Sequence, residues 1–372
     1  MRKDIYYSLF LIIFYLNSVS LVNGQSEIQD VPYKIDVNKS IKNIKEISLS
    51  SIGRELTYIP LETTPECMIQ SIEKVLICNN FIFINGFTKL LQFDRDGKFI
   101  RQIGSQGRGP EEFSSVGDFC IDEQKKEVYI ITAASHKLLI FNFDGIFKNS
   151  FTLSFRPAQI ILKAQNQLLF NLWDQPGSND PGWIITSKQG RILKSINYSL
   201  KRISQPGFIV KDSPLYTFDN KVFTLEFGID TLYYFKDFQR KPYAVYSLGD
   251  MKMDPDPLIT PTLLKDETIS KKIWVSSILE NADFLFTKYD LGVKGPYICS
   301  IYNKTTKVVT FLKDNIFKND LGGGIGFWPK QIVDDKILVD YADAFDLLKG
   351  IIPTNLRSKL TVTSNPVLII LK

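Results

Sequence analysis

The chain has 372 residues, 44% hydrophobic and 13% aromatic, with Phe (27) and Tyr (16) abundant, a mix suited to pleated, half-buried surfaces rather than to disorder. Its formal net charge of +5 is mild, and Lys and Arg are scattered among acids, which argues against nucleic acid as a partner. A single histidine excludes multi-histidine zinc sites, and none of the four cysteines forms a C-x-x-C pair.

The N-terminus reads as a secretory signal. Arg2 and Lys3 precede an apolar run of 12 residues from Ile5 to Leu16, and Val22-Asn23-Gly24 offers a cleavage site before Gln25. A membrane span needs roughly 20 apolar residues, and Asn17, Ser18 and Ser20 interrupt this one. Residues 1–24 are therefore expected to be removed, leaving 25–372 as one domain with no stable membrane insertion. No cysteine precedes Cys67, so no lipobox is present, and the expected location is periplasmic or secreted.

Beyond the leader, Leu56 to Leu61 reads as a lone strand. Cys67 and Cys78 are close enough for a disulfide in an oxidising compartment, whereas Cys78 and Cys120 sit in strand-like runs (KVLICNN, DFCIDE) where cysteine serves as a small buried hydrophobe. Next comes a repeat. FIFINGFTKLLQFDRDGKF, Phe81 to Phe99, returns 48 residues later as YIITAASHKLLIFNFDGIF, Tyr129 to Phe147. Each copy is a strand, a break, a second strand and a Gly turn into a third, a unit that buries its faces only against stacked neighbours. Asp94-Arg95-Asp96-Gly97 has the opening of a calcium loop but lacks the closing Glu, and Asp-Gly between apolar runs signals a hairpin.

Between the copies, Gly104 to Glu112 (GSQGRGPEE) is the most polar glycine-rich stretch. It lacks the Lys-Ser or Lys-Thr ending of a P-loop and reads as a crossing from one blade to the next. Gln106, Arg108, Glu111 and Glu112 are its candidate ligand contacts, with Arg156 beside the following crossing. His136 reads as a loop residue, and no Gly-x-Ser-x-Gly elbow accompanies it. Trp173 to Gly177 and Asp180 to Trp183 bracket a turn whose indoles suit either a core or a sugar platform.

The pattern continues as strand pairs at Trp183 to Ile196, Thr231 to Leu248 and Tyr297 to Leu312. Pro261 to Ile278 and Ala344 to Lys359 have spacing compatible with short helices. Leu321 to Lys330 (LGGGIGFWPK) is a second crossing loop, in which Trp328 either packs on the next blade or offers a binding platform. Lys330 to Tyr341 and the closing PVLIILK are strands, and pairing of the last strand with the N-terminal one would remove an exposed edge. The whole predicts an all-β propeller closed by its two termini, with spacing that fits six or seven blades.

FDRDGKFIRQIGSQGRGPEEF, Phe93 to Phe113, and Asn365-Pro366-Val367 before the apolar end resemble the bacterial "6-bladed β-propeller" proteins, related to NHL and TolB-like propellers. That resemblance implies six blades. With no catalytic set legible, the expected role is non-enzymatic binding or scaffolding of a peptide, glycan or protein partner through one loop face, with no cofactor and no metal. The alternative is a calcium-dependent hydrolase or lactonase at the central channel, which needs no histidine.

Overall fold

The computed structural model describes residues 33–372 apart from 134–135, 164–165, 173–180, 200–213, 227, 254–270 and 293–294. The expected signal segment and its junction at Gly24, together with Trp173, Asp174, Gln175, Pro176, Gly177 and Asp180, lie outside the described residues.

Six antiparallel four-stranded sheets follow one another along the chain. Blade 1 comprises Lys74–Ile77, Phe81–Asn85, Leu90–Asp94 and Phe99–Gln102; blade 2 comprises Val116–Asp122, Glu127–Thr132, Lys137–Asn142 and Phe147–Thr152. Blade 3 comprises Pro157–Lys163, Gln167–Leu172, Trp183–Ser187 and Ile192–Ile196; blade 4 comprises Leu215–Phe218, Lys221–Leu225, Thr231–Lys236 and Gln239–Tyr246. Blade 5 comprises Ile273–Glu280, Phe284–Leu291, Tyr297–Asn303 and Val308–Leu312. Blade 6 takes three strands from the C-terminal end, Gln331–Val333, Ile337–Ala342 and Val367–Leu371, and its outer strand from Leu56–Pro60. That closing pair is antiparallel, from Val367 opposite Pro60 to Leu371 opposite Leu56. The chain is a six-bladed β-propeller closed by its termini.

Second strands such as FIFIN are buried almost throughout rather than alternately, because each sheet is covered on both faces. Six buried apolar clusters result, one between each pair of adjacent blades. The two repeat copies make the same turn: Asp94 Oδ1 accepts the N–H groups of Asp96 (3.0 Å) and Lys98 (2.9 Å), and Asn142 Oδ1 accepts those of Asp144 (3.0 Å) and Ile146 (2.8 Å). A neutral amide does the same work as the carboxylate, so the Asp-x-Asp-Gly sequence is turn chemistry.

Two features depart from expectation. Ile273–Glu280, at the end of the stretch with helical spacing, is the innermost strand of blade 5; Pro261 to Ser270 lie outside the described residues. Burial against both neighbouring blades overrides the weak periodicity there. Ahead of the closing strand, Tyr33–Ile35 and Ile44–Lys45 add as parallel fifth strands to blades 4 and 5. The stretch 344–359 does form two short helices, Ala344–Lys349 and Thr354–Arg357. All four cysteines are free and buried, so Cys67 and Cys78 are not bridged; the Cys67 thiol donates instead to Glu62 O at 3.0 Å.

Candidate functional site

The antiparallel order gives the ring two distinct ends. Every innermost strand starts at the end where one blade crosses to the next, and the loops between second and third strands emerge there too. The hairpins that join first to second strands lie at the opposite end. The first strands of all six blades line a central cavity of about 320 Å³.

Buried carboxylates beside this channel stitch the blades together. Asp118, on the first strand of blade 2, accepts from Lys74 Nζ of blade 1 (2.8 Å) and from the Ile160 N–H of blade 3 (2.9 Å). Glu280, ending the first strand of blade 5, accepts from the hydroxyls of Tyr216 (2.7 Å) and Tyr243 (2.5 Å) in blade 4 and pairs with Lys304 at 2.6 Å. Burial and the neighbouring Glu280 charge keep both phenols well above their usual pKa, so they serve as donors. Asp122 of blade 2 pairs with Lys188 of blade 3, which also donates to Asn166 Oδ1 at 2.8 Å. Asp340 acts within blade 6, holding the crossing that enters it: it accepts from the Trp328 N–H (3.0 Å) and pairs with Lys330 at 2.8 Å.

Each of these carboxylates is engaged by a lysine and at least one further donor. Among the described residues, no group of three or more His, Cys, Asp or Glu side chains is arranged to hold a metal ion. Burial also pushes up the thiols of Cys120 and Cys299, the latter to about 12, which removes them as nucleophiles near neutral pH.

The sequence-predicted contacts all belong to the crossing end but do not converge. Gln106, Arg108, Glu111 and Glu112 share the crossing from blade 1 to blade 2, Arg156 lies on the next, and Trp328 lies on the crossing into blade 6, across the ring from Arg156. Arg108, Glu111 and Arg156 are exposed. Gln106 is exposed too, its amide donating to Ser114 O at 3.1 Å. Glu112 turns inward: its Oε2 accepts the Gly109 N–H at 2.7 Å and occupies the space beside Gly107. Trp328 is half-buried, stacked on Phe317 at 6.1 Å and edge-on to Phe286 at 6.2 Å, so its ring packs between blades 5 and 6. Trp183 is fully buried core.

Sequence reasoning missed an apolar group at the same end. Of the twelve exposed large hydrophobic side chains among the described residues, seven lie on crossing-end loops or strand ends. They include Met68 (43% exposed) before blade 1, Phe87 (52%) within it, and Phe345 (52%), Ile351 (84%) and Val362 (62%) on the helical insertion of blade 6. The inner face of that insertion buries Leu347, Ile352, Leu356 and Leu360 against blades 5 and 6. Asn365 ties its end to the crossing into blade 1, donating to Glu62 O (2.6 Å) and Cys67 O (2.9 Å) and accepting the Ile69 N–H (2.8 Å). Lys89 Nζ reaches Glu66 O at 2.9 Å, joining the Phe87 loop to the same crossing. Phe87 has φ +68, unusual for a bulky residue; its N–H is held by Asn85 Oδ1 (2.8 Å) and its carbonyl by the Val116 N–H (2.8 Å).

Fold and site together define a propeller with exposed apolar loops at one end and a channel stitched by ion pairs. A family model matches residues 32–372, and the chain belongs to that family, DUF4934, a domain of unknown function. Similar solved structures include a candidate exported protein of Bacteroides fragilis, 19% identical, covering 92% of this chain and 99% of that one with a TM-score of 0.71. A DUF4221 family member from Bacteroides vulgatus is 11% identical and covers 71% of this chain and 86% of its own, with a TM-score of 0.52. These likenesses are of fold. No curated protein matches the sequence. Among the described residues, no helix is long and apolar enough to cross a membrane.

Proposed function

We propose that this protein is a non-enzymatic binding propeller of the periplasm or cell exterior, docking a protein or peptide partner on its crossing end. The observation that carries this reading is the concentration of exposed apolar side chains there, around Met68, Phe87, Phe345 and Ile351. Contiguous exposed apolar surface rimmed by polar groups marks interaction sites on soluble proteins. Lys349 and Arg357 on the helical insertion, and Arg108 on the crossing from blade 1 to blade 2, are exposed polar groups at the same end. The strained backbone at Phe87 supports it, since the fold holds a large aromatic outward at a conformational cost. A calcium-dependent hydrolase is the weaker reading, because the channel carboxylates are already spent on lysines and hydrogen-bond donors.

Site-specific photo-cross-linking in the source cells tests this. A photoreactive residue at position 351 or 87 should give discrete protein adducts, with yield reduced by Arg108→Ala combined with Lys349→Ala. The same probe at Ile192, also exposed (44%) on the outer strand of blade 3, should give none. Adducts at all three positions, or at 192 alone, would overturn the reading, as would stoichiometric calcium surviving dialysis with chelator-sensitive ester hydrolysis.

A further inference from the structure

At the end opposite the crossings, the channel widens into a second cavity of about 850 Å³. The two spaces share Ile121, Leu162 and Thr217 as lining residues, so the vestibule leads into the channel. Its rim is polar: Glu123 from blade 2, Lys163 and Asn166 from blade 3, Asn220 from blade 4, and Asp334 and Asp335 from blade 6. Its floor is apolar, with Ile121, Leu162 and Phe218, the last covered on one ring face by Lys304 at 4.1 Å. The rim is also fixed in place. Asp335 Oδ2 accepts the Asp219 N–H at 2.8 Å, joining the hairpins of blades 6 and 4 in front of blade 5, and Glu123 Oε1 accepts the Asn79 N–H at 2.8 Å, joining blades 2 and 1. Deeper in the channel, Gln331 Oε1 is buried with no hydrogen-bond partner among the described residues. A buried acceptor of that kind is open to any donor that enters the channel, a water or a ligand hydroxyl.

We infer that this vestibule binds a neutral, polyhydroxylated ligand, a short oligosaccharide, entering by the hairpin end. Each sugar hydroxyl both donates and accepts, and the rim sets ammonium and amide donors on blades 3 and 4 (Lys163, Asn220) against acceptors on blades 2 and 6 (Glu123, Asp334, Asp335) around one space. An anionic ligand would face the rim carboxylates of Glu123, Asp334 and Asp335 against Lys163, the one lysine that lines the space. The volume lies within the roughly 300–1,000 Å³ of small-molecule sites, and the pairing of apolar floor with polar rim suits a sugar's two kinds of surface. A hydroxyl at the inner end would satisfy Gln331 Oε1. This site is independent of the partner surface at the crossing end.

The test is calorimetric titration of the mature protein with four neutral trisaccharides (maltotriose, cellotriose, xylotriose and N,N′,N″-triacetylchitotriose), with spermidine and inositol hexakisphosphate as charged controls. At least one trisaccharide should bind. Asp334→Gly and Asn220→Gly remove rim side chains at positions whose φ of +51 and +56 glycine tolerates, so each should weaken binding by tenfold or more with the melting temperature of the free protein unchanged. Binding of spermidine or inositol hexakisphosphate alone, no binding by any trisaccharide, or binding indifferent to both substitutions would each overturn the inference. Cross-linking at position 351 should be unaffected by either substitution, which keeps the two sites separately testable.

Discussion

Gly97 and Gly145 hold the same position in consecutive repeats, with φ +85 and +78, yet their surroundings differ. A side chain at Gly97 would collide with Pro60 O in the closing strand, whereas at Gly145 the nearest atom, Gln102 O, would be 3.4 Å away. Gly145→Ala should therefore cost only the left-handed backbone penalty of about 1–2 kcal/mol, and Gly97→Ala about 1–3 kcal/mol more, read from denaturation midpoints. Equal losses would show that Gly97 does not abut the closing strand. The Asp122–Lys188 pair makes a second prediction. Burial pushes the Asp122 carboxyl up, but the Lys188 hydrogen bond, the Lys125 N–H and the Lys188 charge outweigh it and hold the group below its usual range. A carboxylate depressed in the folded state stabilises above its unfolded value, near 3.9, and that contribution disappears as pH falls through the folded value. Lys188→Met, stranding a buried carboxylate, should cost about 3–5 kcal/mol at pH 7. Asp122→Asn with Lys188→Met should recover much of that and show a shallower loss of stability between pH 5 and pH 3; an unchanged acid slope would remove Asp122 as its cause.

The N-terminal belt is the element that most changes the picture of the ring. Tyr33–Ile35 and Ile44–Lys45 run along blades 4 and 5 before the closing strand reaches blade 6, and Ile35, Val37 and Leu49 are completely buried there. Ile35→Ala should lower stability by about 2–5 kcal/mol and speed amide exchange in Gln239–Tyr246, leaving blade 2 unaffected. A loss below 0.5 kcal/mol would make the belt incidental. Little of the belt was legible in the sequence: strands of two and three residues carry no periodicity, and parallel addition needs no turn signal nearby. By contrast, the Asp-Gly turns, the repeat and the closing PVLIILK strand were legible because each is a local pattern repeated or bounded by punctuation. The crossing loops were placed correctly, but the roles of their residues were not readable, since whether Glu112 faces solvent or Gly109 depends on a backbone turn that the glycines leave open. The channel stitches escaped entirely: Lys74 with Asp118, Lys188 with Asp122, and Tyr216 with Glu280 are brought together by blade stacking across 44, 66 and 64 residues.

At the scale of the whole molecule, stability rests on ring closure. Val367–Leu371 pairs on both sides, with Ile337–Ala342 and with Leu56–Pro60, and its five side chains are at most 3% exposed. Burial worth roughly 1.5–3 kcal/mol per such side chain makes this strand comparable to the entire stability of a typical domain, about 5–15 kcal/mol. Deleting 365–372 should therefore abolish the cooperative melting transition; a truncated protein that melts like the intact one would mean the ring closes elsewhere.

Closure leaves the two ends of the ring as its free surfaces, and partner docking at the crossing end is the central claim. Hydrogen exchange of residues 25–372, alone and with a soluble envelope extract of the source cells, tests it most directly. The account predicts slowed exchange at 66–70, 86–88 and 343–364, with 192–196 on the outer edge of blade 3 unchanged. Slowing confined to the outer strands, with the crossing end unaltered, would contradict it.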